Sequence, residues 1–354
     1  MKLLIINPGS TSTKMSVYEN EQSILDKDLT HDIAELGKYE KITDQYEFRK
    51  GVILDAMKEA GIELTELDAV VGRGGLVKPL TGGTYAVNEV LMRDLRIGVQ
   101  GEHASNVAGL IAHEIATMIG KPAFIVDPVV VDELDPISRI SGHPWIERRS
   151  IFHALNQKAI ARQYGKEVGK KYDEITVVVA HMGGGISVGI HNKGRVVDVS
   201  NALNGEGPFS PERSGTLPVG DLAAICFSGT KTLPEVKKAI TGQGGIVAYL
   251  GSNDVKAMVE RAETDEKAKL IIDAMIYQIA KEIAAVSTAV NGKVDAILLT
   301  GGLAFGKYIT EGIENRVKFI TDDVRVYPGG HEHLALAQGA LRVLNGEEQA
   351  KIYG

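Results

Sequence analysis

Leu3-Leu4-Ile5-Ile6-Asn7-Pro8-Gly9-Ser10-Thr11-Ser12-Thr13-Lys14 opens the chain, and Val177-Val178-Val179-Ala180-His181-Met182-Gly183-Gly184-Gly185-Ile186-Ser187-Val188-Gly189-Ile190 repeats its plan about half a chain later. Each stretch is an apolar run, a turn of glycine with small or hydroxyl residues, and a second alternating run, which predicts a hairpin. Glycine lets successive backbone N–H groups converge on an anion, and Ser or Thr hydroxyls add donors, so both tips suit phosphate. Ser10, Thr11, His181, Gly183, Gly184 and Gly185 are the phosphate-loop candidates. The repetition predicts a duplicated α/β fold with a nucleotide held between the halves.

The chain has 354 residues, 44% hydrophobic and 24% charged, which fits a globular protein of two domains. Its net charge of −7 argues against nucleic acid as a partner, because phosphate neutralisation needs clustered Lys and Arg. Positive charge must instead be concentrated at a few arginines inside a site. The single cysteine, Cys226, sits in an apolar helix-like stretch and is expected to be a buried structural thiol. Neither a signal peptide nor a membrane span is expected, which places the protein in the cytoplasm.

Strand-like runs at 69–71, 123–126, 175–179 and 296–299 alternate with helical patterns, as in α/β proteins with buried sheets. The longest helix is expected over about 265–290, capped by Thr264 and Gly292, with Leu270, Ile271, Ala274, Met275, Ile279, Ile283 and Val286 on its apolar face. Another is expected over about 105–119. The segment 135–149 reads as a crossover, with Arg148 and Arg149 a solvated pair. The domains are expected at 1–148, with 334–354 returning to it as a helix, and at 149–333.

Arg73 follows a strand in Val71-Gly72-Arg73-Gly74-Gly75, and Arg213 lies in the Pro/Gly-rich loop 207–215. An arginine among small residues can approach a ligand closely, and its planar fork matches phosphate or carboxylate oxygens. Asp127 ends a strand abruptly before Pro128, where a carboxylate could organise a metal's waters or orient a nucleophile. His103 and His153 lack zinc-ligand spacing and are candidate donors to a transferring phosphoryl group. Thr300-Gly301-Gly302-Leu303-Ala304-Phe305-Gly306 turns from strand to helix, where paired glycines let a phosphate or a flat ring pack on backbone. There is no Walker A pattern and no protein-kinase catalytic loop.

Taken in order, these segments resemble the family of acetate and butyrate kinases, over nearly the whole chain. Asn7-Pro8-Gly9-Ser10-Thr11-Ser12-Thr13-Lys14 is similar to its N-terminal signature, supported by Gly72 to Gly75, Gly101 to Asn106, Asp127 to Glu133, Asn201 to Gly215 and Gly330 to Ala335. The resemblance implies two ribonuclease-H-like domains around a nucleotide cleft, as in actin, hexokinase and Hsp70. It implies ATP or ADP, Mg²⁺, a short-chain carboxylic acid or its acyl phosphate, direct in-line transfer, and a homo-oligomer of two or more subunits.

By matching position, Asn7 and Glu332 would organise Mg²⁺ and Lys14 would contact nucleotide phosphate. Arg73 and His103 would hold the acid, Asp127 would lie beside the phosphoryl group, and His153 with Arg213 would stabilise its transition state. His181 to Gly185 would line phosphates; Gly301, Gly302, Gly306 and the stretch around Asp254 would hold the adenosine. The family pattern breaks at Gly184, usually Asn in acetate kinases, and at Gln157, usually His. Gly75 replaces a bulkier apolar residue, and the missing side chain is expected to enlarge the acyl pocket, each added methylene being worth about 0.8 kcal/mol. Butyrate is therefore expected over acetate, with isobutyrate and propionate as alternatives. A filament subunit or chaperone ATPase of the same fold would have no use for Arg73, His153 and Arg213.

Overall fold

The computed structural model describes residues 1–354. Its strands are β1 (Lys2–Pro8), β2 (Ser12–Glu19), β3 (Gln22–Thr30), β4 (Ala69–Arg73), β5 (Thr84–Ala86), β6 (Ala123–Val126), β7 (Thr176–Met182), β8 (Ile186–Asn192), β9 (Arg195–Val199), β10 (Ala296–Gly301), β11 (Val324–Pro328) and β12 (Lys351–Ile352). They form two sheets, ordered β12-β5-β6-β4-β1-β2-β3 and β11-β10-β7-β8-β9. In each, an antiparallel three-strand meander continues into parallel pairs: β1 pairs with β2 and β4, and β7 pairs with β8 and β10, with β5 alone reversed, against β6. This repeated topology is the duplicated ribonuclease-H-like plan, and both quoted stretches are its first hairpins.

The chain divides into two compact units, Met1–Val131 with His331–Gly354, and Asp132–Gly330. Residues 132–148, assigned from sequence to the first domain, fall in the second unit, and 331–333, assigned to the second, fall in the first. The helix Glu332–Leu344 belongs to the first unit, where it packs against β1, β4 and β6.

In the first unit, Leu4, Ile6 and Val70 pack on the helix Asn106–Met118 through Val107, Ile111 and Ile115. In the second, Val178, Ala180 and Ile297 pack on the helix Glu266–Ser287 through Ile272, Met275, Ile279 and Ile283. Asp265, not Thr264, caps that helix by accepting from the N–H groups of Lys267 and Ala268, and Asn291 precedes Gly292 in the left-handed conformation that ends the following turn. Leu270 is 67% exposed, because the core stripe runs through 268, 272, 275 and 279 and leaves it on the opposite face.

Two further expectations fail. Arg148 is no solvated residue: it donates to the Ser138 and Val199 carbonyls and to Asp198 and Glu206. Cys226 is exposed, in the helix Val219–Phe227, which has no buried residue. Composition reads a helix as apolar, but not whether anything in the same chain covers it. No helix is long and apolar enough to cross a membrane.

Candidate functional site

In the first unit, β1 and β4 run parallel with Ile6 beside Gly72, so Asn7 and Arg73 leave the sheet at the same end. The start of the helix Glu332–Leu344 meets them there. Asn7 Nδ2 donates to Glu332 Oε2 at 2.8 Å, and Arg73 Nη1 donates to the same oxygen at 2.7 Å and to Asn7 Oδ1 at 3.2 Å. Because Nη1 alone serves both residues, Nε and Nη2 of Arg73 remain for a ligand carboxylate. Glu332 Oε1 and the Asn7 carbonyl oxygen are hard donors. One carboxylate with water-mediated help is the mode in which proteins hold Mg²⁺, so these residues fit that ion.

His103 belongs to the same group. Its Nδ1 accepts from Ser105 N–H at 3.2 Å, and burial together with the charge of Arg73 keeps it neutral more readily than an ordinary histidine. The imidazole proton therefore sits on Nε2.

Asp127, at the end of β6, is 2% exposed and takes a φ of 39°, in the left-handed region. It exchanges two hydrogen bonds with Gly83, whose N–H donates to Asp127 Oδ1 at 2.6 Å and whose carbonyl accepts from Asp127 N–H at 3.0 Å. That exchange fixes the carboxylate in an otherwise unfavourable backbone conformation.

Lys14, opposite Asn7 on β2, is exposed, with its ammonium 3.9 Å from Asp28. The Ser10–Thr11 tip rests on a residue the sequence did not single out. Arg49, on the helix Tyr46–Glu59, is 0% exposed, and its Nη1 and Nη2 donate to the carbonyls of Ser12 and Ser10 at 2.9 and 3.2 Å. No carboxylate pairs with it, so its charge lies directly beneath the loop.

Gly75 does not do what its family position implies. A Cβ there would lie 2.4 Å from Asn106 Oδ1, 2.7 Å from Asn106 Cα and 2.8 Å from Leu95 Cδ2, so the space beside it is already filled. Asn106 is held there by Leu76 N–H and the Gly101 carbonyl. The glycine serves close packing of the loop on a helix, and its missing side chain opens no space there. Gly75→Val should therefore lower the melting temperature and reduce kcat/KM for acetate and butyrate alike, keeping their ratio within about twofold. A ratio shifted tenfold in a stable variant would restore the pocket reading.

In the second unit, His153 precedes the helix Ala154–Glu167, and His181 lies near the end of β7. Their rings stack with centroids 3.9 Å apart and planes at 15°. His181 Nδ1 lies 2.7 Å from Asn156 Oδ1, whose amide nitrogen donates to the Gly330 carbonyl; His153 Nδ1 lies 2.8 Å from Ser187 Oγ. The tip of the hairpin is closed by Gly183 N–H to Gly185 O, and Ser210 Oγ donates to Gly184 O at 2.6 Å.

Arg213 lies against this tip. A Cβ on Gly185 would fall 2.2 Å from Arg213 Nη1, so the glycine leaves the guanidinium the place it takes here. No hydrogen bond or ion pair holds that guanidinium, and burial lowers its affinity for the proton, with Glu212 opposing the effect. Glu212 itself accepts from Asn253.

The remaining candidates have local duties. Asp254 caps the helix Val255–Arg261 by accepting from Ala257 N–H. Gly301 has φ 91° and lies so close to Met182 that a Cβ would be 2.3 Å from its carbonyl oxygen. Gly302 faces open space, and Gly306 begins the helix Lys307–Val317.

The chain is 60% identical to butyrate kinase 1 of Clostridium acetobutylicum over 353 residues, and 56% identical to a probable butyrate kinase of Clostridium botulinum over the same length. Each match covers 99% of both chains. Among solved structures, acetate kinase of Porphyromonas gingivalis shares the fold with a TM-score of 0.77 and 20% identity, covering 97% of this chain and 99% of that one. A model of the acetokinase family matches residues 141–320, which include His153, the second hairpin and Arg213. With relatives this similar along its whole length, the chain belongs to the acetokinase family.

Proposed function

We propose that this protein catalyses the reversible transfer of the γ-phosphoryl group of ATP to a short-chain carboxylate, most favourably butyrate, giving butyryl phosphate and ADP. The observation that carries it is Arg213, a half-buried guanidinium that no hydrogen bond or ion pair holds, seated on a glycine hairpin tip beside two stacked histidines. A partly buried cation that no ion pair holds is set for an anionic ligand. The family membership supports the reaction class, and the names of the two clostridial relatives support butyrate.

The carboxylate is already ionised near neutral pH, so transfer needs no strong base. Its difficulty is bringing two anions together and spreading charge over three phosphoryl oxygens. Arg73 binds the acid through Nε and Nη2, while Arg213 and His153 donate to the phosphoryl oxygens. Asp127, with its orientation fixed by Gly83, lies beside the phosphoryl group. A carboxylate oxygen forms the new bond to Pγ as the bond to the ADP oxygen breaks. The hairpin tips, with Lys14, hold phosphates; Gly301, Gly302, Gly306 and Asp254 belong to the adenosine side. Asn7 and Glu332 would hold Mg²⁺, which supplies charge neutralisation on the phosphates.

Purified protein with Mg-ATP, hydroxylamine and a panel of two- to five-carbon acids should yield acyl hydroxamate, most rapidly with butyrate. Absence of hydroxamate with every acid would overturn the reaction; a clear preference for isobutyrate, propionate or acetate would overturn the substrate.

The reaction belongs in the cytoplasm, where ATP is supplied. A homo-oligomer is supported by the helix Val219–Phe227, where Phe227 is 92%, Val219 79% and Ile225 47% exposed. A short helix with an apolar, uncovered surface gains its stability from a partner, here a second copy. Phe227→Asp should shift the protein to a smaller species in sedimentation, and an unchanged species would remove this helix from the interface.

A further inference from the structure

His153 stands at the end of a buried chain of polar groups whose donors and acceptors can be counted. Gln157 Nε2 lies 2.9 Å from the backbone carbonyl of Ser187 and 2.9 Å from Ser187 Oγ. A carbonyl only accepts, so the atom facing it must be the amide nitrogen, and the orientation of Gln157 is settled. Its two protons go to those two oxygens. Gln157 Oε1 then accepts from His191 Nε2 at 3.1 Å, which leaves His191 Nδ1 to accept from the Tyr172 hydroxyl at 2.8 Å. His191 is 0% exposed, and burial, with Lys158 and Arg162 nearby, keeps it neutral, consistent with one donating and one accepting nitrogen.

Ser187 Oγ accepts from Gln157, and at 3.4 Å from the His153 backbone N–H. Its own proton has one acceptor within reach, His153 Nδ1 at 2.8 Å. The fold makes room for the chain at Gly189, where a Cβ would lie 2.8 Å from Gln157 Oε1.

We propose that Gln157 is a positioning residue which, through Ser187, holds His153 as the neutral tautomer protonated on Nε2, so that this N–H is the donor to the phosphoryl oxygens. The inference rests on the role given to His153 in the proposed reaction. It assigns a duty to Gln157, where the acetate kinase pattern has a histidine. The stacked His181 adds a reason for neutrality. Two imidazolium rings 3.9 Å apart would repel, whereas two neutral rings stack without penalty. Gln157→Glu tests the polarity of the chain while keeping its shape. A carboxylate cannot donate to Ser187 Oγ; the serine proton turns to the carboxylate, and Oγ becomes an acceptor that draws the His153 proton to Nδ1.

The tautomer is read from the nitrogen chemical shifts of histidine-labelled protein at about pH 8, above the ordinary imidazole range, with His153→Asn identifying the signal. The wild type should show Nε2–H and Gln157→Glu should show Nδ1–H. The kcat of the variant should fall roughly tenfold to a hundredfold, with KM for ATP and for the acid within about threefold of normal. Ser187→Ala, which removes only the hydroxyl, should leave a mixture of tautomers and an intermediate kcat, and it serves if Gln157→Glu does not fold. Nδ1–H in the wild type overturns the proposal, as does an unchanged tautomer with reduced kcat, or a switched tautomer with unchanged kcat. The spectrum needs no substrate, so a wild type that shows Nε2–H but yields no hydroxamate would condemn the proposed reaction and leave the proton chain standing.

Discussion

Arg213→Ala should lower kcat by roughly a hundredfold or more while changing KM for ATP by less than about threefold. Charge on the phosphoryl oxygens is spread most widely in the transition state, so the loss of a donor aimed at them appears in kcat rather than in ground-state binding. The setting of this arginine also separates a catalytic loss from a folding defect. Its guanidinium is partly desolvated without an ion pair, a cost that Glu212 only opposes and that alanine removes. The melting temperature should therefore hold or rise as activity falls. Arg213→Lys keeps a charge but not the planar fork, and should recover only part of the rate. Near-normal kcat in a folded Arg213→Ala protein would return this residue to an ordinary surface role.

The hairpins were legible because their signal is local: alternation, a glycine turn, and alternation again give both the strands and their pairing. β4, β6 and β10 were equally plain as short apolar runs ending in Gly or Asp. The candidate groups Asn7, Arg73 with Glu332, and His153 with His181, needed the family motif to be noticed and the fold to be joined, since each combines residues from distant segments.

What could not be read is what a residue packs against. Gly75 looks like a deletion that opens space, and only the position of Asn106 shows that the space is taken. Arg148 looks like half of a surface pair until Asp198 and Glu206 are brought to it. Gln157 carried a faint signal as a break in the acetate kinase pattern, but its duty depends on Ser187 and His191, which β8 supplies. Arg49 carried no signal, because nothing in Tyr46–Glu59 distinguishes a buried arginine from a solvated one.

Arg49→Met should be the most destabilising of these changes. All five N–H groups of Arg49 are engaged: Nε and Nη2 donate to Gln45 Oε1, Nη1 to Ser12 O and Thr13 Oγ1, and Nη2 also to Ser10 O. Methionine fills much of the volume and restores none of these bonds. Ser12 O keeps the Gly9 N–H and Thr13 Oγ1 keeps its bond with His31 Nε2, so Gln45 Oε1 and Ser10 O are the acceptors left without a donor; at about 1–3 kcal/mol each, they imply a loss of about 2 kcal/mol or more. At about 2–4 °C per kcal/mol for a unit of this size, the melting temperature should fall by about 4 °C or more. The functional effect should differ in kind from that of Arg213. The Ser10 and Ser12 carbonyls anchor the tip whose amides are assigned to phosphate, so the amides lose their convergence and KM for ATP rises several-fold in the protein that remains folded. Arg49→Lys restores the charge beneath the loop with at most three donors, and should lie between methionine and wild type in both measurements. If Arg49→Met keeps the wild-type melting temperature, the buried hydrogen bonds are not holding the loop. If it melts early but keeps its KM for ATP, the loop serves stability alone and the phosphate assignment of the first hairpin fails.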